Sequence, residues 1–207
     1  MKNIVFLDSV KQMPLLELPV RTVVVTLSSG TVIISPGSNL TKEQYADLKN
    51  VTDIVAPNLF HNAGIKNAAQ VFPHAKVWRA RNINVDSWPH STELPLITLK
   101  GMPKVQETLF VHKPSKSLIL TDLCFNLVNP KGFGAWLILN MFGTYKKFGV
   151  SRFFTRLIQD KDAFEKSLGE LFTHDFENII VSHGENIHGI GKAMLMDALK
   201  QRGLSPR

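Results

Sequence analysis

Two histidines and one aspartate stand where strands are predicted to end, and these residue types can together bind a metal ion. His61 follows a short strand predicted over 53–56, and Asp122 and His183 each end a later strand. Side chains beyond the carboxyl ends of neighbouring strands can converge although they are distant in sequence. Two imidazoles and one carboxylate suit zinc or iron(II) and leave coordination positions open. Spacing alone leaves open a second interpretation, in which each histidine is a hydrogen-bonded structural residue.

Alternating strands and helices provide the framework for these residues. Runs of β-favouring residues predict two strands over 20–35, joined by a turn at 28–30. A strand at 53–56, a helix at 64–71 and a strand at 76–80 indicate a parallel βαβ unit. Further strands are predicted at 96–99, 108–112, 117–122 and 178–182, and helices near Lys42, over 163–172 and over 192–202.

Five runs of sequence carry a resemblance to a known superfamily. They are RTVVVTLSSGTVIISPGSNLT from Arg21, then IVAPNLFHNAGIKN, AKVWRA, LILTD and NIIVSHGE, and the similarity spans about 20–199. The chain resembles the metallo-β-lactamase superfamily and, within it, the uncharacterised DUF4336 domain family. This resemblance implies an α/β fold, a four-layer αββα sandwich with a metal site at one edge. We expect one such domain over 1–207, with a helical aromatic and basic insertion at about 125–172.

The resemblance also implies an HxHxDH motif, which falls on 56–61 and reads A-P-N-L-F-H in this chain. Only the last histidine, His61, is present. Ala56 and Asn58 replace the first two histidines, and Phe60 replaces the aspartate.

Three further motif positions follow later in the chain. The histidine expected after a later strand falls near Gly101-Met102 and is absent, whereas Asp122 and His183 match the expected aspartate and final histidine. The resemblance implies two metal positions. The missing histidines are the main ligands of one of them, whereas much of the ligand set of the other is present. We therefore expect one metal ion bound by His61, Asp122 and His183, with zinc as the expected ion and iron as the alternative.

The expected function is a metal-dependent hydrolase with an unknown small-molecule substrate. A zinc ion lowers the pKa of a bound water to ~7, but such enzymes usually also need a group that moves the proton. Phe60 cannot move a proton, so the candidates are Glu185 as a base and Asn58 as an orienting group. Two alternatives remain: a non-catalytic binding protein that keeps the fold, and an iron(II) redox protein.

The formal charge of +7 raises the question of nucleic acid as a partner. Binding to duplex DNA needs clustered cations, because affinity comes from counterions released along the phosphates. Here the cations are scattered, and their densest group lies among phenylalanines, so no nucleic-acid partner is expected. An ordinary solvated surface, anionic lipid and an acidic metabolite are the interpretations left. That densest group consists of Lys146, Lys147, Arg152 and Arg156.

The lone Cys124 excludes an internal disulfide and a four-cysteine zinc site. The stretch 1–10 lacks a basic start followed by a long apolar run, so no secretory signal is expected. These features favour a cytoplasmic protein.

Residues 132–156 mix apolar and aromatic residues with lysine and arginine. Such a segment can lie at a membrane surface, cover the mouth of an active site as a lid, or form helices packed on the body. A lid lined by Trp136, Phe142 and Phe148 would favour an apolar or acyl substrate, whereas the positive charge favours an anionic one.

Overall fold

Two β-sheets follow one another along the chain in the computed structural model, which describes residues 3–207. Met1 and Lys2, at the start of the stretch in which no secretory signal is expected, lie outside the described residues. The first sheet has the order β1-β2-β3-β4-β5, with β1–β3 antiparallel and β3–β5 parallel. Its strands are β1 (Ile4–Met13), β2 (Leu16–Leu27), β3 (Gly30–Ile34), β4 (Val51–Ala56) and β5 (Lys76–Arg79).

The second sheet has the order β6-β7-β8-β9. β6 to β8 are antiparallel, and β9 lies parallel to β8. Its strands are β6 (Leu96–Thr98), β7 (Thr108–His112), β8 (Ser117–Leu120) and β9 (Asn178–Val181). The helices are α1 (Ile65–Val71), α2 (Gly132–Phe142), α3 (Arg152–Arg156), α4 (Lys161–Phe172) and α5 (Gly191–Lys200), with short 3₁₀ helices at Glu43–Tyr45, Val85–Ser87 and Lys113–Ser115.

Successive side chains of a strand belong to different layers of the hydrophobic core. In β8, Ile119 packs in the cluster between the two sheets, whereas Leu118 and Leu120 pack on the other face, against α3, α4 and α5. In β2, Val23 and Val25 face the second sheet, whereas Val24 points to the other face and packs in the cluster that includes α1. Side chains of a strand point alternately to its two faces, so each sheet buries both faces. The predicted four-layer αββα arrangement is confirmed.

The βαβ unit from β4 through α1 to β5 is parallel, as predicted. The strands before Asp122 and His183 end earlier than expected, at Leu120 and Val181, so both residues stand two positions beyond a strand. The short helix expected near Lys42 is a single 3₁₀ turn at Glu43–Tyr45.

β1 has no counterpart among the predicted elements. Most of its residues are exposed or half-buried, and its second half is polar, so no regular alternation of apolar residues marks it in the sequence. It is a strand because it pairs with β2 along its whole length, from Ile4 opposite Val25 to Met13 opposite Leu16. This hairpin forms a wall of the site described next.

Candidate metal centre

The structure brings His61, Asp122 and His183 together beyond the ends of β4, β8 and β9. One ligand atom from each residue lies within 4.8 Å of the other two. The Asp122 carboxylate stands between the imidazoles, with Oδ2 3.3 Å from Nε2 of His61 and Oδ1 3.3 Å from Nε2 of His183. Three residues separated by 61 positions or more in the sequence thus present nitrogen and oxygen donors to one small volume.

The ring of His183 is held on two sides. Its Nδ1 donates a hydrogen bond of 2.7 Å to the carbonyl oxygen of Pro19 in β2. A carbonyl only accepts, so Nδ1 carries the proton, and Nε2 of the neutral ring has its lone pair free. Phe125 stacks on the other side at 5.0 Å between ring centroids and 12° between planes. The side chain is therefore oriented as metal-binding histidines are.

The ring of His61 is held by Ser35, whose hydroxyl lies 2.5 Å from Nδ1. When this hydroxyl accepts from Nδ1, Nε2 is left free as a ligand. Ser35 directly follows β3 and has a φ of 56°, a left-handed conformation that is uncommon for a residue with a side chain. Hydrogen bonds from its own N–H to the carbonyl of Val55 and from the Thr22 hydroxyl to its carbonyl hold it there. Such strained positions concentrate at functional sites.

Asn58, predicted to orient water or substrate, is fully buried behind the ligands. Its Nδ2 donates to Asp122 Oδ2 at 2.6 Å and to the Thr121 hydroxyl at 3.0 Å. Its Oδ1 accepts from the backbone N–H groups of Phe60 and His61. Asn58 therefore joins the loop that carries His61 to the loop that carries Asp122. Its predicted part in catalysis stays a prediction.

Glu107, which the sequence analysis does not single out, is buried beneath the Asp122 loop. Its Oε1 accepts from the backbone N–H groups of Thr121, Asp122 and Leu123 at 2.9 to 3.2 Å. Burial and repulsion from Asp122 raise the pKa of Glu107 to about 7, although these hydrogen bonds oppose the rise. The only sign of it in the sequence is an acidic residue directly before an apolar strand.

The Asp122 carboxyl is the anionic member of the group. Burial alone would raise its pKa, but a positive charge on His61 and hydrogen bonds from His183 and His61, which form when their Nε2 atoms carry protons, outweigh burial and hold the pKa well below its usual range. A metal ion would take the place of those protons. The carboxyl is ionised at neutral pH, which is the state that binds a metal ion.

The three residues open into a cavity of about 110 Å³. One wall comes from the hairpin of β1 and β2, through Val10, Lys11 and Leu18. Phe60, at the position of the expected aspartate, lines the cavity with 49% of its surface exposed.

Glu185, the predicted base, lies on the surface beside this cavity. It lines a neighbouring groove of about 420 Å³ together with Leu16, Leu127 and Lys131. Its backbone N–H donates to the carbonyl oxygen of Asn126, and the side-chain amide of Asn126 donates to the carbonyl oxygen of Glu185. Of residues 132–156, expected in one interpretation to cover the site, only Gly132 lines either space, in the groove. The role of Glu185 stays a prediction.

Solved structures provide the comparison that decides the fold. A metallo-β-lactamase from Pontibacter korlensis superposes over 97% of this chain and 94% of its own, with a TM-score of 0.65 and 15% identity. The FIM-1 metallo-β-lactamase from Pseudomonas aeruginosa in the mono-zinc form gives 0.62 at 11% identity, over 98% and 93%. The Flv1 flavodiiron core from Synechocystis gives 0.58 at 11% identity, over 90% of this chain and 55% of that one.

The chain has the metallo-β-lactamase fold. No protein-family model and no curated protein sequence matches it. At these identities the likeness concerns the fold alone, so the chemistry must be argued from the residues of the site.

Within this metallo-β-lactamase fold, two of the positions where the motif implies histidine are filled by apolar core residues. Met102 packs among buried side chains of the second sheet's outer layer, and Ala56 packs on the α1 side of the first sheet. Cys124 is likewise a core residue, and burial raises the pKa of its thiol well above the usual value. His61, Asp122 and His183 are close enough together to bind a metal ion. In the part of the chain that the structure describes, they form the one such group of three or more His, Cys, Asp or Glu side chains.

Proposed function

We propose that this chain is a hydrolase that uses one metal ion, bound by His61, Asp122 and His183. The observation that supports this proposal is the convergence of two imidazole nitrogens and one ionised carboxylate within 4.8 Å, at the wall of a cavity. The finer resemblance to the DUF4336 domain family belongs to the same proposal and rests on the sequence runs alone.

The donor set fits a single divalent ion. Two imidazoles and one carboxylate are a common zinc set in catalytic sites, which keep a further position open. His183 already has the required tautomer, and Ser35 stands where it can fix that of His61. A bound ion would supply Lewis-acid activation of water and of the bond to be cleaved. We propose zinc, and the mono-zinc form of a protein with this fold is in keeping with one ion.

The residues around the ligands would bind and orient the substrate. Lys11 lines the cavity and would attract an anionic group, whereas Val10, Leu18 and Phe60 offer an apolar surface. We therefore propose a small substrate with an anionic group next to an apolar one. Glu185, in the adjoining groove, is the proposed base.

Iron is the second candidate metal, because the same ligand set suits iron(II) and the flavodiiron core shares the fold. An iron protein would be a redox protein rather than a hydrolase. The two are separated by which metal restores function: hydrolysis with zinc, or oxygen-dependent spectral change with iron.

A binding protein without catalysis is the third candidate. It is favoured by Phe60, an apolar group at the position where the motif implies an acidic one. In that case ligand binding would persist while no hydrolysis could be measured under any metal.

The test is hydrolysis of carboxylic and phosphoric esters by apo protein and by protein reconstituted with zinc, iron(II) or manganese. We expect zinc-dependent turnover that is lost in His61→Ala and His183→Ala and kept in the control His74→Ala, an exposed histidine before the start of β5, at the opposite end of the sheet from His61. Equal turnover by the apo protein and the zinc-loaded protein, or by the ligand variants, would overturn the hydrolase proposal.

A further inference from the structure

Helix α2 exposes an apolar face. Phe133, Trp136, Leu137 and Met141 are 74%, 45%, 45% and 58% exposed, and their spacing places them along one side of the helix. The opposite side buries Ala135 and Leu139 against the body of the protein. Large apolar groups scattered singly on a surface are ordinary, but a contiguous group of this kind marks a binding surface.

Two neighbouring segments extend this face. In the turn between β1 and β2, Leu15 is 56% exposed, and its carbonyl oxygen packs so close to Gly134 that a Cβ there would lie 2.3 Å away. Phe153 of α3 is 46% exposed and stacks on Phe142 at the end of α2, with 5.7 Å between ring centroids. The α2 patch is defined here as Leu15, Phe133, Trp136, Leu137, Met141 and Phe153.

The chain segment that carries α2 and α3 is free of acidic residues. Residues 123–159 contain no aspartate or glutamate and five cations. All five are exposed, and none forms an ion pair with any residue between 3 and 207. These cations are Lys131, Lys146, Lys147, Arg152 and Arg156.

Two acidic residues from other parts of the chain lie at the Lys131 end of this segment. Glu17 of β2 and Glu185 line the groove beside Lys131. At the other end, Arg202 adds a further positive charge. It lies close to the end of α2, where it donates hydrogen bonds to the carbonyl oxygens of Gly143 and Val150. Lys146, Lys147, Arg152 and Arg202 therefore place four cations at or just past the end of α2.

The combination of an apolar patch and uncompensated cations points to an anionic lipid surface. The 11 residues of α2 are ~16 Å long, about half of the ~30 Å hydrocarbon core, and no helix in the described part of the chain is long and apolar enough to cross a bilayer. Aromatic and aliphatic side chains on one face with lysines alongside are the pattern of helices that lie in the interface. A second copy of this chain would instead bring like charges together.

We propose that the α2 patch is a peripheral membrane-binding surface that docks on a bilayer containing anionic lipid. In this position α2 lies along the interface, the patch enters the acyl boundary, and Lys146 and Lys147 contact the headgroups. The groove that begins at Lys131 then opens next to the lipid. This docking does not depend on the metal site.

Co-sedimentation with vesicles tests the proposal. We expect the full chain to pellet with phosphatidylcholine vesicles containing 30% phosphatidylserine and to stay in solution with phosphatidylcholine alone. The double variant Phe133→Ser/Trp136→Ser should reduce the bound fraction at least tenfold, whereas the control Val85→Ser/Ile190→Ser, which changes two exposed apolar residues elsewhere, should bind normally. Circular dichroism checks that each variant is folded.

Charge is tested separately with Lys146→Glu/Lys147→Glu, which should weaken binding at least fivefold and reduce its sensitivity to salt. The control Lys49→Glu/Lys66→Glu makes the same change in net charge at exposed positions in another part of the molecule and should bind normally. Equal weakening by the two double variants would mean that only net charge matters and would overturn the proposed surface.

Tryptophan fluorescence gives an independent measurement. Trp136 is the exposed tryptophan, since Trp78 and Trp88 are 2% and 3% exposed. Anionic vesicles should shift the emission to the blue, and brominated lipid should quench it, with both effects lost in Trp136→Phe. Asp122→Ala should behave as wild type, so failure of the metal site leaves this result intact.

Two further outcomes would overturn the proposal. One is binding to anionic vesicles that Phe133→Ser/Trp136→Ser leaves unchanged. The other is no binding to vesicles together with a concentration-dependent dimer, detected by sedimentation velocity and abolished by the same double variant, because the occupant of the α2 patch would then be a second copy of the chain.

Discussion

Two clusters of histidine and aspartate lie near opposite ends of β4, and only one of them is open. At the start of β4, Asp53 and His90 form a buried pair with 2.7 Å between Oδ2 and Nε2. The other ring nitrogen of His90 bonds to the Ser29 hydroxyl at 2.8 Å, and the other oxygen of Asp53 accepts from Trp78 at 2.6 Å. Beyond the end of β4, the site of His61 and Asp122 has a second imidazole and a cavity.

The difference teaches that contact between a histidine and a carboxylate is not enough to make a metal site. In the cluster of Asp53 and His90, hydrogen bonds of 2.6 to 2.8 Å occupy both ring nitrogens and both carboxylate oxygens, and no third His, Cys, Asp or Glu side chain among residues 3–207 completes a set of three. In the site of Asp122, the contacts between carboxylate and imidazoles are longer, at 3.3 Å, and a third donor completes a ligand set. The first cluster stabilises the fold, and the second is available to bind.

Removal of a ligand should have the largest effect. Asp122→Ala should weaken zinc affinity ~1,000-fold or more, because even changes to residues that only orient metal ligands cost ~10–100-fold. The affinity is measured by competition with a chromophoric chelator. The matched change Asp86→Ala removes an exposed carboxylate and should leave the affinity unchanged. An Asp122→Ala protein that is folded and binds zinc as wild type does would contradict the assignment.

The closed cluster is the buried pair of Asp53 and His90. Removal of its imidazole should lower the stability of the fold rather than the affinity for zinc. His90→Ala leaves the buried Asp53 carboxylate without its partner, and breaking a buried pair in this way costs about 3–5 kcal/mol of the free energy of unfolding. Urea denaturation measures the loss, and His74→Ala is the exposed control. Zinc affinity of the folded His90→Ala protein should equal that of wild type. A loss of zinc with little loss of stability would reverse the roles of the two clusters.

Glu107→Gln tests whether the carboxylate beneath the Asp122 loop acts through that loop. The substitution keeps one acceptor oxygen but puts an amide N–H donor near the N–H of Asp122, so the loop shifts. We expect zinc affinity to fall ~10–100-fold, as for other residues that orient metal ligands. Affinity within twofold of wild type, with the same melting temperature, would show that Glu107 does not position Asp122.

The smallest predicted effect is on the acid stability of the closed cluster. Burial alone would raise the pKa of Asp53, but hydrogen bonds from His90 and Trp78 outweigh it and lower the pKa. The ionised form is thus stabilised in the folded state, a contribution that is present above the unfolded pKa of ~3.9 and is lost as the pH falls through the folded pKa. Asp53→Asn should flatten the decline in stability below about pH 4, relative to Asp86→Asn. Urea midpoints from pH 6 to pH 3 provide the measurement, and parallel curves would contradict the account.

The sequence allowed the three members of the candidate metal site to be singled out because each follows a strand that is easy to recognise. The runs before His61, Asp122 and His183 are dominated by β-branched and aliphatic residues that are buried in the structure. Parallel pairing of β8 with β9 places Asp122 and His183 together, whereas His61 follows a strand of the other sheet and reaches them through the packing of the two sheets.

What supports the ligands could not be predicted in this way. Glu107, Ser35 and Pro19 reach the site through contacts between segments far apart in sequence, and none belongs to a local pattern. β1 was missed for a related reason, since it is a strand through pairing with β2 rather than through its own apolar alternation. The apolar face of α2 was visible as a run of residues, but its exposure is set by the packing of Gly134 on the turn at Leu15.

The central claim is that the open cluster, and not the closed one, binds a metal ion. Inductively coupled plasma mass spectrometry of wild type, His183→Ala and His90→Gln, each purified, reconstituted with zinc and shown to be folded, tests it most directly. We predict one zinc per chain in wild type and in His90→Gln, and a large loss in His183→Ala. Zinc retained in His183→Ala, or none in reconstituted wild type, would contradict the claim.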